Sequence, residues 1–445
     1  MKLLGIFRNK EAKNASWLIG GKIAQMVLSL FVGVLSARYL GPSNYGLIGY
    51  GTALVGFFMS FCTLGFNSVI IKDFFDHPDE QGKAIGSAIT FRLISSFCSC
   101  IAVIAVSSVI DYGSWETVAI VALCSVSLLF HTFDTLNYWF QSQYKSKVTA
   151  LATFIAYVCT AAYKIVLLIL HKNVFWFAFA TSIDYIVLSA ILLIAYKKNK
   201  GPKLTASFGK GKALLSKSYH YILSGMMVAI YGHTDKLMLK QMMTDADVGY
   251  YATATAICAM WTFVLSAIID SMYPTIVQAF KKDKALFDRK NRQLYAIVFY
   301  VTVFVSLCFL LFGDLAISIL YGEAYMPAAM PLKVVTWYTA FSYFGVARSA
   351  WFVCNDMQKY LKYMYIFAAI LNVGLNFVFI PIWGASGAAF ASLVTQIFTS
   401  IVLPYCIRDL RPNARLMLEA MLLRNVFGKD KATLTAPTDN NGKED

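Results

Sequence analysis

Six basic side chains, Lys22, Arg92, Lys164, Lys236, Lys333 and Arg348, fall inside stretches of this sequence that are otherwise almost free of charge. Four acids share those surroundings: Asp134, Asp184, Asp235 and Asp270. An ionised group inside hydrocarbon is costly, so the first reading of each is functional, with snorkelling to the nearest interface as the competing one. Lys22 and Arg92 lie about eight residues, or roughly 12 Å at the helical rise, in from one end of their runs. Arg348 lies on that same half, whereas Lys164, Lys236 and Lys333 lie nearer the other end. Two sets of cations along one path would let an anion be held from either side of a membrane, where the lower dielectric strengthens Coulomb attraction. Lys22, Arg92, Lys164, Lys333 and Arg348 are therefore the candidate anion-binding residues.

Helical spacing gathers polar residues around these charges. Lys22, Gln25, Ser29, Gly33 and Ser36 share one face, and so do Gly56, Ser60, Thr63 and Asn67. Ser127, His131, Asp134, Tyr138 and Gln141 form a third stripe, and His220, Ser224, Tyr231 and Asp235 a fourth. A lipid-facing helix would not carry such stripes, although small polar residues also serve helix packing. Together they point to a watered cavity, lined by Gln25, Asn67, Tyr138, Tyr231, Asn372 and Asn376. Asn372 and Asn376, four apart, suit sugar hydroxyls or a helix-to-helix lock. His131, Asp134 and Asp235 are candidates for ion coupling, since histidine changes charge near neutral pH. Asp235 also has a structural reading, as a partner of the adjacent Lys236.

The elements that must position these residues are membrane helices. Of 445 residues 58% are hydrophobic and only 14% charged, where soluble domains carry about 25% charged residues. Apolar runs of roughly 20 residues match the hydrocarbon thickness. Twelve are predicted, at about 15–37, 47–71, 84–110, 117–140, 148–170, 175–196, 217–239, 248–275, 294–312, 327–354, 362–380 and 385–407. The basic leader 1–14 precedes a run too long for a cleaved signal. Thirty of the 39 Lys and Arg residues fall in connections on one side, three (Arg38, Lys172, Lys240) on the other and six within the runs. Positive residues stay cytoplasmic, so both termini are predicted inside. The net charge of +15 is then a topology signal with some attraction to anionic lipid, and nucleic acid is not an expected partner. All nine cysteines lie in apolar runs and predict neither disulfides nor a metal site, and no cofactor is expected.

The chain also echoes itself. "SARYLGPSNYGLIGYG" (36–51) and "KQMMTDADVGYYATATAI" (240–257) share a rhythm, and placing Gly46 on Gly249 sets run 1 on run 7. Gly41 can leave a helix in the left-handed conformation and Pro42 cannot continue one, so the first motif reads as a tight outer hairpin. An even number of spans per half makes the repeat parallel, its axis along the membrane normal. The predicted fold is all-α and integral to the membrane. Two pseudo-symmetric six-helix lobes, 15–200 and 217–407, surround a central cavity, joined by a basic linker at 201–216. The tail 408–445 is predicted cytoplasmic and disordered at its end.

"ARYLGPSNYGLIGYGTAL" (37–54) resembles the opening motif of bacterial oligosaccharide flippases, the polysaccharide-export branch of the multidrug/oligosaccharidyl-lipid/polysaccharide exporter superfamily. "TDKLMLKQMMTDADVGYYATA" (234–254) is similar to that family's second signature. The resemblance implies a fold like that of the multidrug exporters (MATE-like). It also implies alternating-access transport of an undecaprenyl-diphosphate-linked oligosaccharide repeat unit to the outer leaflet of the cell membrane. Lys22 and Arg92 would then meet the diphosphate first, Lys164 and Lys333 later. Expected partners are the lipid-linked oligosaccharide, membrane lipids and polysaccharide polymerase or chain-length machinery, with the transporter a monomer. The main alternative is a cation-coupled multidrug antiporter, which predicts acids in control of the cavity. A membrane-embedded polymerase or ligase would carry a large outer loop, and the longest predicted here is about 14 residues (313–326). "GKGK" (209–212) lacks phosphate-loop spacing, and no hydrolase or zinc-protease motif occurs, so no enzymatic activity is expected.

Overall fold

The computed structural model describes residues 10–426; the side chains of residues 10–24 and of Ser68, Leu223 and Ser224 fall outside what it describes. Regular structure among the described residues is helical. The first lobe comprises α1 (Lys10–Thr63), α2 (Gln81–Ile110), α3 (Trp115–His131), α4 (Thr135–Ser142), α5 (Ser146–Ile169) and α6 (Val174–Lys198). The second comprises α7 (Phe208–Met242), α8 (Asp245–Lys282), α9 (Lys284–Tyr321), α10 (Ala329–Ala347), α11 (Leu361–Trp383) and α12 (Ala385–Ile397), followed by the short α13 (Arg411–Met421).

Nine segments among the described residues are long and apolar enough to cross a membrane, so the chain is a multi-pass membrane protein. The first of the nine, Gln25–Thr63, holds two of the predicted spans, and α7 and α10 stand at the seventh and tenth. At the junction inside α1, Gly41 has φ 74° and ψ 169°. That is an extended backbone of the wrong hand for a side chain, rather than the left-handed helical turn predicted, and it still requires glycine. Pro42 then starts the second half of α1, where its missing N–H costs nothing. The repeat solves the same problem differently. Thr244, 203 residues on, caps α8 by accepting from the Asp247 N–H at 3.3 Å, while its own N–H donates to Asp247 Oδ2 at 3.2 Å.

Repeat symmetry extends into the packing. Ser189 Oγ donates to Phe130 O and Ser400 Oγ to Phe341 O, each at 2.7 Å, both residues of the second bond lying 211 positions after those of the first. A further correspondence joins the halves. A Cβ on Gly46 would lie 1.8 Å from Asp245 O, and one on Gly249 would lie 2.1 Å from Pro42 O. Residues 42 and 46 of one motif thus meet 245 and 249 of its echo reciprocally, as a local two-fold axis demands.

The cores show which end is shut. At the end carrying these hairpins, one cluster of buried residues includes Tyr50, Ile120 and Phe177 of the first lobe with Val248, Ile317 and Tyr325 of the second. At the opposite, basic end there are two cores: Phe66, Phe74 and Phe140 in one, joined by Leu214 from the start of α7, and Tyr295, Phe344 and Trp351 in the other. The broad apolar burial shared by the lobes lies at the hairpin end, and toward the basic end α7 alone carries the second lobe onto the first.

Three predicted boundaries shift. The second predicted span ends at Thr63, not near 71, so Asn67 sits in a short turn (Phe66–Ser68). The 313–326 connection is helical as far as Tyr321, which shortens it to Gly322 and the turn Glu323–Ala328. The second half of the 201–216 linker is the start of α7. The linker is strapped to the first lobe. The Thr205 N–H donates to Gly82 O (3.4 Å), the Ser207 N–H to Ser87 Oγ (2.9 Å), and Lys210 Nζ pairs with Asp73 (2.9 Å) and Glu80 (3.1 Å).

Candidate functional site

A cavity of about 470 Å³ lies between the lobes. Ser29, Gly33 and Ser36 of α1 form one wall, placed together by their i, i+4, i+7 spacing, and no atom comes within 4 Å of where a Gly33 Cβ would be. Tyr157, Thr160 and Lys164 of α5 and Thr181 and Asp184 of α6 form the second wall. The second lobe supplies Ala256, Ala259 and Met260 of α8 and Tyr321 of α9. Thr160 Oγ1 donates to Asp184 Oδ1 at 3.4 Å. The Lys164 ammonium faces the same space without an ion pair among the described residues, within Coulomb reach of Asp184.

Toward the hairpin end the lobes are tied across. Tyr325 hydroxyl donates to Ala37 O at 2.7 Å, Arg38 donates to Ile319 O, and Gln241 Nε2 donates to Asp111 Oδ1 at 3.1 Å. Asp111 is buried and also accepts from Tyr50 and Ser107, each at 2.9 Å. A carboxylate with three donors makes a rigid joint, because each bond to a charged acceptor is stronger than a neutral one.

The other predicted cations are placed elsewhere in this conformation. Arg92, 1% exposed, lies within the first lobe. Its guanidinium donates to Cys62 O (3.3 Å), Thr135 Oγ1 (2.7 Å) and His131 O (3.1 Å), and lies 2.9 Å from His131 Nδ1. These acceptors bracket a break in the fourth span, where α3 gives way to the turn Thr132–Asp134 and then α4. A helix break frees carbonyls, and Arg92 takes one of them. Arg348 stands at the matching break after α10, buried, donating to Thr399 O at 3.3 Å with its charge over the Phe352 ring. Lys333 pairs with the exposed Asp314 at 2.8 Å. Lys22 lies outside the described side chains. Of the four described cations Lys164 alone joins the cavity, the two arginines being consumed by their own lobes.

The polar residues divide likewise. Gln25 is half-buried, one turn beyond Ser29 on the cavity-facing side of α1, and Asn67 is exposed on its turn. The Gly56 stripe packs against α7, with His233 against Gly56 and Gly225 beside Ser60, so it serves helix packing. Tyr138 and Asn137 both donate to Asp134, beside the Arg92 network. Tyr231 accepts from Gln396. Asp235, Asn372 and Asn376 do come together. Asp235, buried, accepts from Asn376 (2.8 Å), Ser392 (2.6 Å) and Tyr251, while Asn376 and Asn372 are linked at 3.1 Å. Among the described residues Asp235 makes no ion pair, and Asn376 Oδ1 is buried without a partner. The hydrogen-bond donors to Asp235 are all neutral.

Sequence reasoning noted Asp184 without giving it a role, and missed Tyr157, Tyr321 and Asp111. An acid and a base on neighbouring spans, Asp184 and Lys164, was the available signal. For the tyrosines no signal existed short of knowing which helices meet.

The fold, with its inter-lobe cavity, is the one that solved multidrug exporters and a lipid flippase share. Similar solved structures include a lipid II flippase MurJ in an inward closed conformation (TM-score 0.70, 15% identity, covering 91% of each chain). Another is a multidrug resistance MATE family transporter of the MOP superfamily in an inward-facing conformation (TM-score 0.65, 14% identity, 88% of this chain and 95% of that one). A model of the polysaccharide biosynthesis protein family matches residues 35–330, and the chain belongs to that family. It is 20% identical over 400 residues to the Escherichia coli (strain K12) "Putative O-antigen transporter", covering 88% of this chain and 96% of that one.

Proposed function

We propose that this protein moves a lipid-linked oligosaccharide, a repeat unit on undecaprenyl diphosphate, from the cytoplasmic to the outer leaflet of the cell membrane. The observation that carries the reading is the Lys164 cation, free of an ion pair among the described residues, in a largely apolar cavity built by both lobes and shut at one end. The basic end faces the cytoplasm, as the distribution of Lys and Arg indicates. The family match and the O-antigen transporter relative support a glycan cargo. A drug antiporter would place acids in control, whereas here one cation and one acid share the space.

The diphosphate enters from the basic end, drawn to Lys164, while the lipid tail stays in the bilayer. Rocking of the lobes breaks the hairpin-end contacts and opens the cavity outward. Asp235, with its neutral donors and the unpartnered Asn376 Oδ1, is the coupling site, exchanging a proton or small cation during the cycle. Released glycan passes to the polymerase and chain-length machinery.

Reconstituted in liposomes with a fluorescent undecaprenyl-diphosphate-linked sugar, the protein should translocate the lipid. Lys164→Ala should lower the rate about tenfold or more, the loss expected for one charge-assisted contact. Asp235→Asn should remove any acceleration by an imposed ion gradient. Absence of translocation by the wild type under every gradient would overturn the reading.

A further inference from the structure

The inter-lobe cavity holds opposite charges that do not neutralise each other. Lys164 and Asp184 come from neighbouring helices of one lobe, line the same space and form no direct ion pair. Had the pair been structural, burial would favour contact between the charges, since separated charges in a low-dielectric site are costly. Instead Asp184 Oδ1 is steadied by a long 3.4 Å bond from Thr160. An ionised carboxylate offers about four acceptor sites and no donor. Around it stand the hydroxyl-bearing side chains of Ser29, Tyr157 and Thr181, with Met260 and Tyr321 as apolar faces from the other lobe. A cation, an acceptor-only carboxylate, small hydroxyls and aromatic surface in one pocket match a ligand that carries an anion beside a ring of hydroxyls.

We infer that Lys164 and Asp184 form a sugar-phosphate subsite. Lys164 holds the phosphate and Asp184 accepts hydrogen bonds from hydroxyl or amide groups of the first sugar, making Asp184 a specificity-determining residue. The inference rests on the flippase reading and deepens it. The volume agrees: about 470 Å³ lies toward the lower part of the small-ligand range, roughly 300–1,000 Å³, which suits the phosphate-proximal sugar rather than a whole repeat unit. Because Met260 and Tyr321 belong to the second lobe, rocking would dismantle the subsite and release the sugar.

The test measures binding of glucose 1-phosphate, inorganic phosphate and glucose to the purified full-length protein in nanodiscs. Wild type should bind glucose 1-phosphate at least tenfold more tightly than inorganic phosphate, the advantage of charge-assisted hydrogen bonds. Asp184→Asn should erase that advantage and leave phosphate affinity unchanged; Lys164→Gln should weaken both; Asp184→Glu should retain part of it. Ligand-free thermal unfolding reports whether each variant is folded, and Tyr157→Phe provides a second probe of the same wall, with a smaller expected loss. Equal affinity of wild type for the two phosphates, or an Asp184→Asn protein that still prefers the sugar phosphate, would overturn the inference. The liposome assay separates the two readings. A protein that binds sugar phosphate through Asp184 yet flips no lipid fails only the transport reading, and one that flips lipid without that preference fails only the subsite.

Discussion

Replacing Gly46 by leucine is expected to hold the lobes apart at their hairpin end and abolish surface glycan. The first atom added, the Cβ, would lie 1.8 Å from the Asp245 carbonyl oxygen and 2.8 Å from the Gly249 amide nitrogen. Backbone on both sides cannot step aside as a side chain would, so the helices must separate. Overpacking of this kind costs about 1–3 kcal/mol in a packed interface. Since each 1.4 kcal/mol is a factor of ten, that shifts the balance between closed and open outer faces by roughly tenfold to a hundredfold. In the proposed rocking this contact breaks, so the penalty would fall on the closed conformation alone and insertion into the membrane should be normal. Gly249→Leu should behave alike, because its Cβ meets Pro42 O at 2.1 Å. Thiol labelling from the outer side, with a reporter cysteine at Ser36, should rise in both variants. Wild-type glycan and unchanged labelling would mean that the reciprocal contact is not the outer seal.

Arg92→Lys is the second substitution with a large expected effect, and it separates two roles for this residue. If Arg92 supplied only positive charge to a passing diphosphate, lysine would preserve much of the function. The geometry predicts the opposite. One planar guanidinium reaches Cys62 O, Thr135 Oγ1 and the His131 backbone from three of its nitrogens, joining α1, α2 and the break between α3 and α4. A lysine ammonium cannot span that fork. Both Arg92→Lys and Arg92→Ala should therefore lose stability in detergent, the alanine by roughly 2–5 kcal/mol, the range for emptying a large buried site. Glycan export should fall with the loss of folded protein. A lysine variant with full stability and export would return Arg92 to the substrate path.

These two residues also show what the sequence could and could not disclose. Gly46 and Gly249 were legible as matching positions of a repeat with a fixed offset, but that they meet was not, because an offset does not say which residues lie near the axis. The Ser29, Gly33 and Ser36 face was legible because a helix presents positions i, i+4 and i+7 together, and it does line the cavity. Identical reasoning applied to Gly56 and Ser60 pointed to water, yet those residues meet His233 and Gly225 of α7. Periodicity identifies the residues on one face; it carries no information on what that face meets. Arg92 stood out as a charge in an apolar run, but its acceptors depend on a break in another helix some forty residues away. Asp184 and Lys164 were each visible as charges, and only the packing of α5 against α6 makes them one site. The all-helical membrane fold was legible because the apolar run is a local property, with nine segments among the described residues long and apolar enough to cross a membrane against the twelve predicted, whereas the ends moved where a turn was helical, as at 313–321.

The central claim is that the hairpin end must open for cargo to leave, and one disulfide tests it directly. The Cβ of Ala252 lies 3.3 Å from where a Cβ on Gly49 would be, close to the separation a disulfide bridges, and the positions are equivalent in the two repeats. In a background without the nine native thiols, Gly49→Cys combined with Ala252→Cys should cross-link on mild oxidation. Translocation of the fluorescent lipid-linked sugar in liposomes should then stop and should resume on reduction. Undiminished translocation with the cross-link intact would contradict the account.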